Sequence, residues 1–207
     1  MLRLARERAA WKTGRLLVGV DEAGRGPLAG PVVAAAVLFP ADEKRLTGIR
    51  DSKTLSEAQR DRAAVLIRKK ALAIGVGAAS VHEIDRINIR RATALAMRRA
   101  LDRLFQLAPS GPLSILVDGL PLLEIGLEHE ALVDGDAICP SIAAAGIIAK
   151  TVRDRLMKSL AVRYDGYHWA NNMGYGTEAH RNALVEFGAT PHHRRSFMPV
   201  TQLRLGL

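Results

Sequence analysis

Leu17-Val18-Gly19-Val20-Asp21-Glu22-Ala23-Gly24-Arg25-Gly26-Pro27-Leu28-Ala29-Gly30 is the segment around which this chain is organised. Leu16 to Val20 is apolar apart from Gly19, and β-branched valine suits a buried strand. Two adjacent carboxylates, Asp21 and Glu22, end the run. Alternation along a strand sends neighbours to opposite sides. A bend where the strand ends could bring both acids toward one site. Gly24 and Gly26 allow the backbone to approach a ligand closely. Arg25, between them, carries a planar fork suited to phosphate. Anionic metal ligands, exposed amides and a cation in one short segment suit work on a polyanion.

Outward from this segment, strands and helices are mixed. Val32 to Phe39 is a second apolar run, stopped by Pro40, and residues 42–50 are polar and loop-like. Ser56 is a candidate N-cap for a surface helix over Glu57 to Ala71. Ala71 to Val81 reads as a third strand, and Asn88 to Leu107 as an amphipathic helix. Leu113 to Val117 is a fourth strand, and it too ends in an acid, Asp118. Leu120 to Pro140 is irregular, with a short strand near Ala131–Val133. A long helix follows over Ser141 to Tyr164. A loop over Tyr167 to Gly176 leads to a last helix, with Thr177 as cap and Gly188 as stop. The pattern predicts one α/β domain over 1–207 with a central sheet. Its first part, 1–14, is a basic arm.

The composition narrows the partners. Thirty Lys and Arg against 21 Asp and Glu give a formal charge of +9, which favours nucleic acid or another anionic surface. Cys139 is the only cysteine, so an intrachain disulfide is excluded and a reducing cytoplasm is expected. The apolar runs are too short to span a membrane. Residues 1–8 lack the apolar core of a signal peptide.

Asp21 and Asp118 each follow a strand, and strand ends in an α/β sheet converge on a shared crevice. Asp136 lies just ahead of the long helix, and with Glu22 it makes four carboxylates able to meet there. Four unpaired anions in a low-dielectric pocket repel, so cations are required. Oxygen ligands without a His/Cys set favour Mg²⁺ or Mn²⁺ over zinc. Two such ions about 3.5–4 Å apart activate a water and stabilise the leaving oxygen of a phosphodiester. Asp134 competes with Asp136 on position alone. Asp154 is explained by helical pairing with Lys150 and Lys158. The histidines, including the adjacent His192-His193, lack ligand spacing and are expected in surface or structural roles. On the acids alone, a ribonuclease, a DNA-directed nuclease and a catalytically silent nucleic-acid binder all remain open.

Longer segments carry a family resemblance. Gly19-Val20-Asp21-Glu22-Ala23-Gly24-Arg25-Gly26-Pro27-Leu28-Ala29-Gly30-Pro31-Val32-Val33-Ala34-Ala35, then Asp51-Ser52-Lys53, Val117-Asp118-Gly119, Ser141-Ile142-Ala143-Ala144-Ala145 with Ala149-Lys150-Thr151-Val152-Arg153-Asp154, Gly174-Tyr175-Gly176-Thr177 and His192-His193-Arg194-Arg195-Ser196-Phe197 occur in the order of bacterial ribonuclease HII. The chain resembles that family over nearly its whole length. The resemblance implies a ribonuclease H-like fold with a mixed sheet flanked by helices. It also implies a small helical C-terminal part, from about 165 to 207, that completes the substrate groove.

The implied activity is hydrolysis of RNA paired to DNA and incision 5′ of single ribonucleotides in duplex DNA. The implied products carry 3′-OH and 5′-phosphate ends. Asp21, Glu22, Asp118 and Asp136 fall on the family's metal-binding acids. Gly24-Arg25-Gly26 falls on the segment that reads the ribose 2′-OH, the group separating RNA from DNA. Tyr175 falls on the tyrosine that packs against the neighbouring deoxyribose. Lys53, Arg194, Arg195 and Ser196 are candidate backbone contacts. No membrane association is expected, and a monomer is expected. The chain departs from the family pattern at Asp134, where lysine is frequent, at Gly146, usually serine, and at Met173, where lysine is common.

Overall fold

A computed structural model describes residues 2–41, 43 and 46–205. The predicted loop at 42–50 therefore lies partly outside the described residues, as do positions 1, 206 and 207. Five strands form one sheet in the order β3-β2-β1-β4-β5. These are β1 (Leu16–Ala23), β2 (Val32–Leu38), β3 (Ala73–Ala79), β4 (Leu113–Asp118) and β5 (Glu130–Leu132). β1, β2 and β3 pair antiparallel, whereas β4 pairs parallel to β1 and β5 parallel to β4. The helices are α1 (Ala5–Lys12), α2 (Glu57–Lys70), α3 (Val81–Leu107), α4 (Gly135–Ile138), α5 (Pro140–Arg163), α6 (Trp169–Asn172), α7 (Glu178–Phe187) and α8 (Val200–Leu205).

The side-chain period of two decides the layers. Along β2, Val32, Ala34, Ala36 and Leu38 face a core shared with α3. Ala35, Val37 and Phe39 face the opposite core, built with α2 and α5. A strand buried on both faces reads as a continuous apolar run, as β2 does. The third cluster joins Leu28 and Ala29, just after β1, to Met157 of α5 and to Trp169, Leu184 and Val200. The C-terminal helices are thus packed onto the segment between β1 and β2.

Several boundaries differ from the sequence expectation. β1 continues through Asp21 and Glu22 to Ala23, because both acids pair in register with Ala35 and Ala34 of β2. α3 starts at Val81, where a strand end was expected. Ser80 accepts from the Glu83 amide while the Glu83 carboxylate accepts from the Ser80 amide, a reciprocal cap. Asn88, the expected start, is where the helix breaks (φ 68°), and its Oδ1 accepts from the Arg91 amide to cap the second segment. The basic arm forms α1, and the expected loop after Tyr167 contains α6. Ser56 and Thr177 cap α2 and α7 as read from the sequence.

Candidate active site

Asp21, Asp118 and Asp136 each offer a carboxylate oxygen within 4.8 Å of the others. Parallel pairing explains the first two: Val20 lies opposite Val117, so the acids one residue further sit side by side at the strand ends. The third is drawn in by a hydrogen bond. Asp118 Oδ1 accepts from the Gly135 amide at 2.8 Å, which fixes the start of α4 and presents Asp136. Asp134, by contrast, is exposed.

Glu22 is not in this group. β1 stays extended through Ala23, so Asp21 and Glu22 leave the strand on opposite sides, yet the Glu22 carboxylate still lies within electrostatic reach of Asp21, Asp118 and Lys53. Its Oε1 instead lies 3.3 Å from Arg25 Nη1. Glu22 is still close enough to add to the negative field on Asp21.

The electrostatics of these acids favour a positive charge among them. Burial is the main reason that the Asp21 carboxyl lies well above its ordinary range, and repulsion from Glu22, Asp118 and Asp136 adds to it. Burial likewise raises Asp136, helped by Asp118 and Asp51 and opposed by Lys53. Asp51 is an acid near the site that the sequence reading treated only as part of a motif. Lys53 reaches in from solvent to 3.5 Å from Asp136 Oδ2. Burial disfavours its charge, but Asp136, Asp51 and Asp21 outweigh this and raise its pKa. Three hard oxygen donors with no histidine or cysteine among them fit a divalent cation of the magnesium or manganese type. Gly146 makes room for this arrangement: a Cβ there would collide with Oδ2 of Asp21. The helix-weakening glycine on α5 therefore sits where the carboxylate needs space.

The Gly24-Arg25-Gly26 segment leaves β1 beside these acids. Tyr175 is 45% exposed, and its Cε1 lies 3.8 Å from where a Cβ on Gly26 would stand. The ring and the glycine segment thus form one surface. The Tyr175 carbonyl is tied down by His180 Nδ1 at 2.9 Å. His180 in turn accepts at Nε2 from Trp169 and from His193 Nε2, and His193 Nδ1 accepts from the Thr190 amide. This pattern assigns both imidazoles as neutral. The histidines are structural, as expected.

One candidate contact needs correction. Arg194 cannot reach a phosphate: it is fully buried, and its guanidinium donates to the carbonyls of Gly24, Arg25 and Gly30. Ser196 is exposed, and its hydroxyl donates to Asp85 Oδ1 at 2.6 Å. Arg195 is held at the same carboxylate only through its amide, and its side chain is exposed. Asp154 pairs with Lys150 as expected and also with Arg60, whereas Lys158 pairs with Glu57.

One site-supporting residue escaped the sequence reading. Glu7 on α1 is 1% exposed, and its Oε1 accepts from the Ser141 amide, the Ser141 hydroxyl and the Cys139 thiol. An anion at a helix N-terminus satisfies orphan amides and complements the dipole. Glu7 thereby anchors the start of α5, two residues beyond α4. No helix among the described residues is long and apolar enough to cross a membrane.

The family model described as Ribonuclease HII matches residues 18–200. A ribonuclease HII of Synechococcus sp. is 52% identical over 203 residues, covering 97% of this chain and 90% of the relative. That of Granulibacter bethesdensis is 55% identical over 201 residues, covering 95% and 90%. Among solved structures, the ribonuclease H2 of Pyrococcus horikoshii superposes with a TM-score of 0.77 at 26% identity, covering 92% of this chain and 98% of that one. With the family matched across both strand-end acids, α4 and the C-terminal helices, this chain belongs to the ribonuclease HII family of metal-dependent endoribonucleases.

Proposed function

We propose that the chain, acting as a single catalytic domain, hydrolyses the RNA strand of RNA–DNA hybrids and incises 5′ of single ribonucleotides embedded in duplex DNA. Hydrolysis leaves 3′-OH and 5′-phosphate ends. The observation that carries this reading is the gathering of Asp21, Asp118 and Asp136 beside the Gly24–Gly26 segment and Tyr175. Asp21, Asp118 and Asp136 would hold Mg²⁺ or Mn²⁺, with Glu22 at the margin. Two such ions, when bound, would supply a lowered pKa for an attacking water and offset charge on the phosphate and leaving oxygen.

The remaining work falls to the protein. Amides at Arg25 and Gly26 meet the ribose 2′-OH, and the exposed Tyr175 ring packs on the adjoining deoxyribose. Arg25, Lys53 and the exposed Arg195 attract the phosphates, supported by a net charge of +9. Lys53 also offsets Asp136 while the acids are without a cation. No side-chain nucleophile is needed. The chain works as a cytoplasmic monomer on nucleic acid. Asp21→Asn is the test: cleavage of an RNA–DNA hybrid should be abolished while hybrid binding persists. Retained turnover refutes the assignment.

A further inference from the structure

The segment from Gly24 to Pro31 hangs on two buried arginines from distant parts of the chain. Arg153 of α5 donates from Nε to the Pro31 carbonyl (3.0 Å), from Nη2 to Ala29 (3.0 Å) and from Nη1 to Met173 (2.9 Å). Arg194 donates from Nε to Gly30 (2.9 Å), from Nη1 to Arg25 (2.7 Å) and from Nη2 to Gly24 (2.5 Å). Both side chains are fully buried, and neither forms an ion pair with a carboxylate among the described residues. A buried cation without a counter-ion is costly unless dipoles replace its hydration. Here six carbonyls do so. Only a planar guanidinium, with donors in a fixed fork, can serve three carbonyls in this way. Gly24 takes φ +94°, and a Cβ on it would collide with Arg153 Nε. The backbone therefore lies directly on the guanidinium.

The direction of these bonds has a consequence on the other side of the loop. In a trans peptide the C=O and the following N–H point in opposite directions. With the Gly24 and Arg25 carbonyls turned inward to Arg194, the amides of Arg25 and Gly26 are turned outward. Neither amide donates to an acceptor among the described residues. A carbonyl polarised by a cation also makes its own peptide a better donor. We propose that Arg153 and Arg194 are positioning residues that aim and polarise the Arg25 and Gly26 amides, and so set the preference for a ribonucleotide. This rests on the reading above that the two amides meet the 2′-OH.

Arg194→Lys and Arg153→Lys keep the charge and remove the fork. Each is made in the full chain carrying Asp21→Asn, which prevents turnover. Fluorescence anisotropy then gives affinities for two duplexes of one sequence, one with a single ribonucleotide and one all-DNA. The parent should prefer the ribonucleotide. Either lysine variant should lose about tenfold of that preference, with all-DNA affinity unchanged. Amide NMR signals of Arg25 and Gly26 should move as well. A merely structural role would lower the folded fraction and weaken both duplexes equally. An unchanged preference in folded lysine variants overturns the proposal and leaves the loop reading intact. A parent with no preference overturns the loop reading, and the proposal falls with it. Should Arg194→Lys fail to fold, Arg153→Lys decides by the same criterion.

Discussion

Asp21→Asn should stabilise the metal-free protein even as it abolishes cleavage. Asp21 is 6% exposed and shares a space of 4.8 Å with Asp118 and Asp136. At an effective dielectric of about 20, two unit charges 4.8 Å apart repel by about 3.5 kcal/mol. Part of this is already relieved, because burial and the neighbouring acids raise the Asp21 pKa and so favour its neutral form. Asparagine keeps the shape, and its carbonyl oxygen can still accept the Glu22 amide as Asp21 Oδ1 does. The expected gain is about 2 kcal/mol near neutral pH, or about 4–8 °C in Tm for a chain of this size.

The pH dependence follows in sign. A folded pKa above the unfolded value of 3.8 means that the unfolded chain releases the proton first. This contribution to stability is complete below pH 3.8 and is lost as pH rises through the folded pKa. Wild type and variant should therefore converge in acid and diverge towards neutral pH. Thermal melts in chelator and in added Mg²⁺ test this. Cation binding stabilises wild type by mass action, and the variant should gain far less. A variant less stable than wild type in chelator, or one with an equal Mg²⁺-induced shift, refutes the reasoning.

Glu7→Ala should cost about 3 kcal/mol, since it strips three donors at the start of α5 of their buried acceptor. The corresponding fall in Tm is about 6–12 °C, and a fall under about 2 °C contradicts the anchoring role. His193 should remain neutral well below pH 6.5. Burial first, then His180 and His192, depress it to about 3. The unfolded chain takes up the proton first, so stability is present above pH 6.5 and lost by about 1.4 kcal/mol per pH unit as pH falls towards about 3. An NMR titration of the imidazole checks this, and a midpoint near 6.5 contradicts it.

What the sequence made legible is what travels with local pattern. β2 alternates faces along a fully apolar run, and Ser56 and Thr177 announce their helices by chemistry three residues long. Asp21 and Asp118 could be paired because each ends an apolar run, and parallel strands bring such ends together. Glu22 lies outside the 4.8 Å group although its charge acts on Asp21 and Asp118, and register with Ala34 keeps the strand extended there without a bend. Arg194 and Glu7 were illegible for a different reason. Their partners lie more than 130 residues away in sequence, so nothing in their own neighbourhood separates a buried fork or cap from a surface charge. Val81 to Ile87 did carry a local signal, since Ser80 and Glu83 have the spacing of a reciprocal cap. The apolar run before it drew the reading towards a longer strand.

The most direct measurement is strand scission of a duplex carrying one ribonucleotide, run beside the same duplex in all-DNA form, with and without chelator. A single nick 5′ of the ribonucleotide with a 3′-OH end, dependent on divalent ions, and an intact all-DNA duplex are expected. Equal cutting of both duplexes, or scission that persists in chelator, would contradict the assignment of these acids to a ribonucleotide-directed, metal-dependent site.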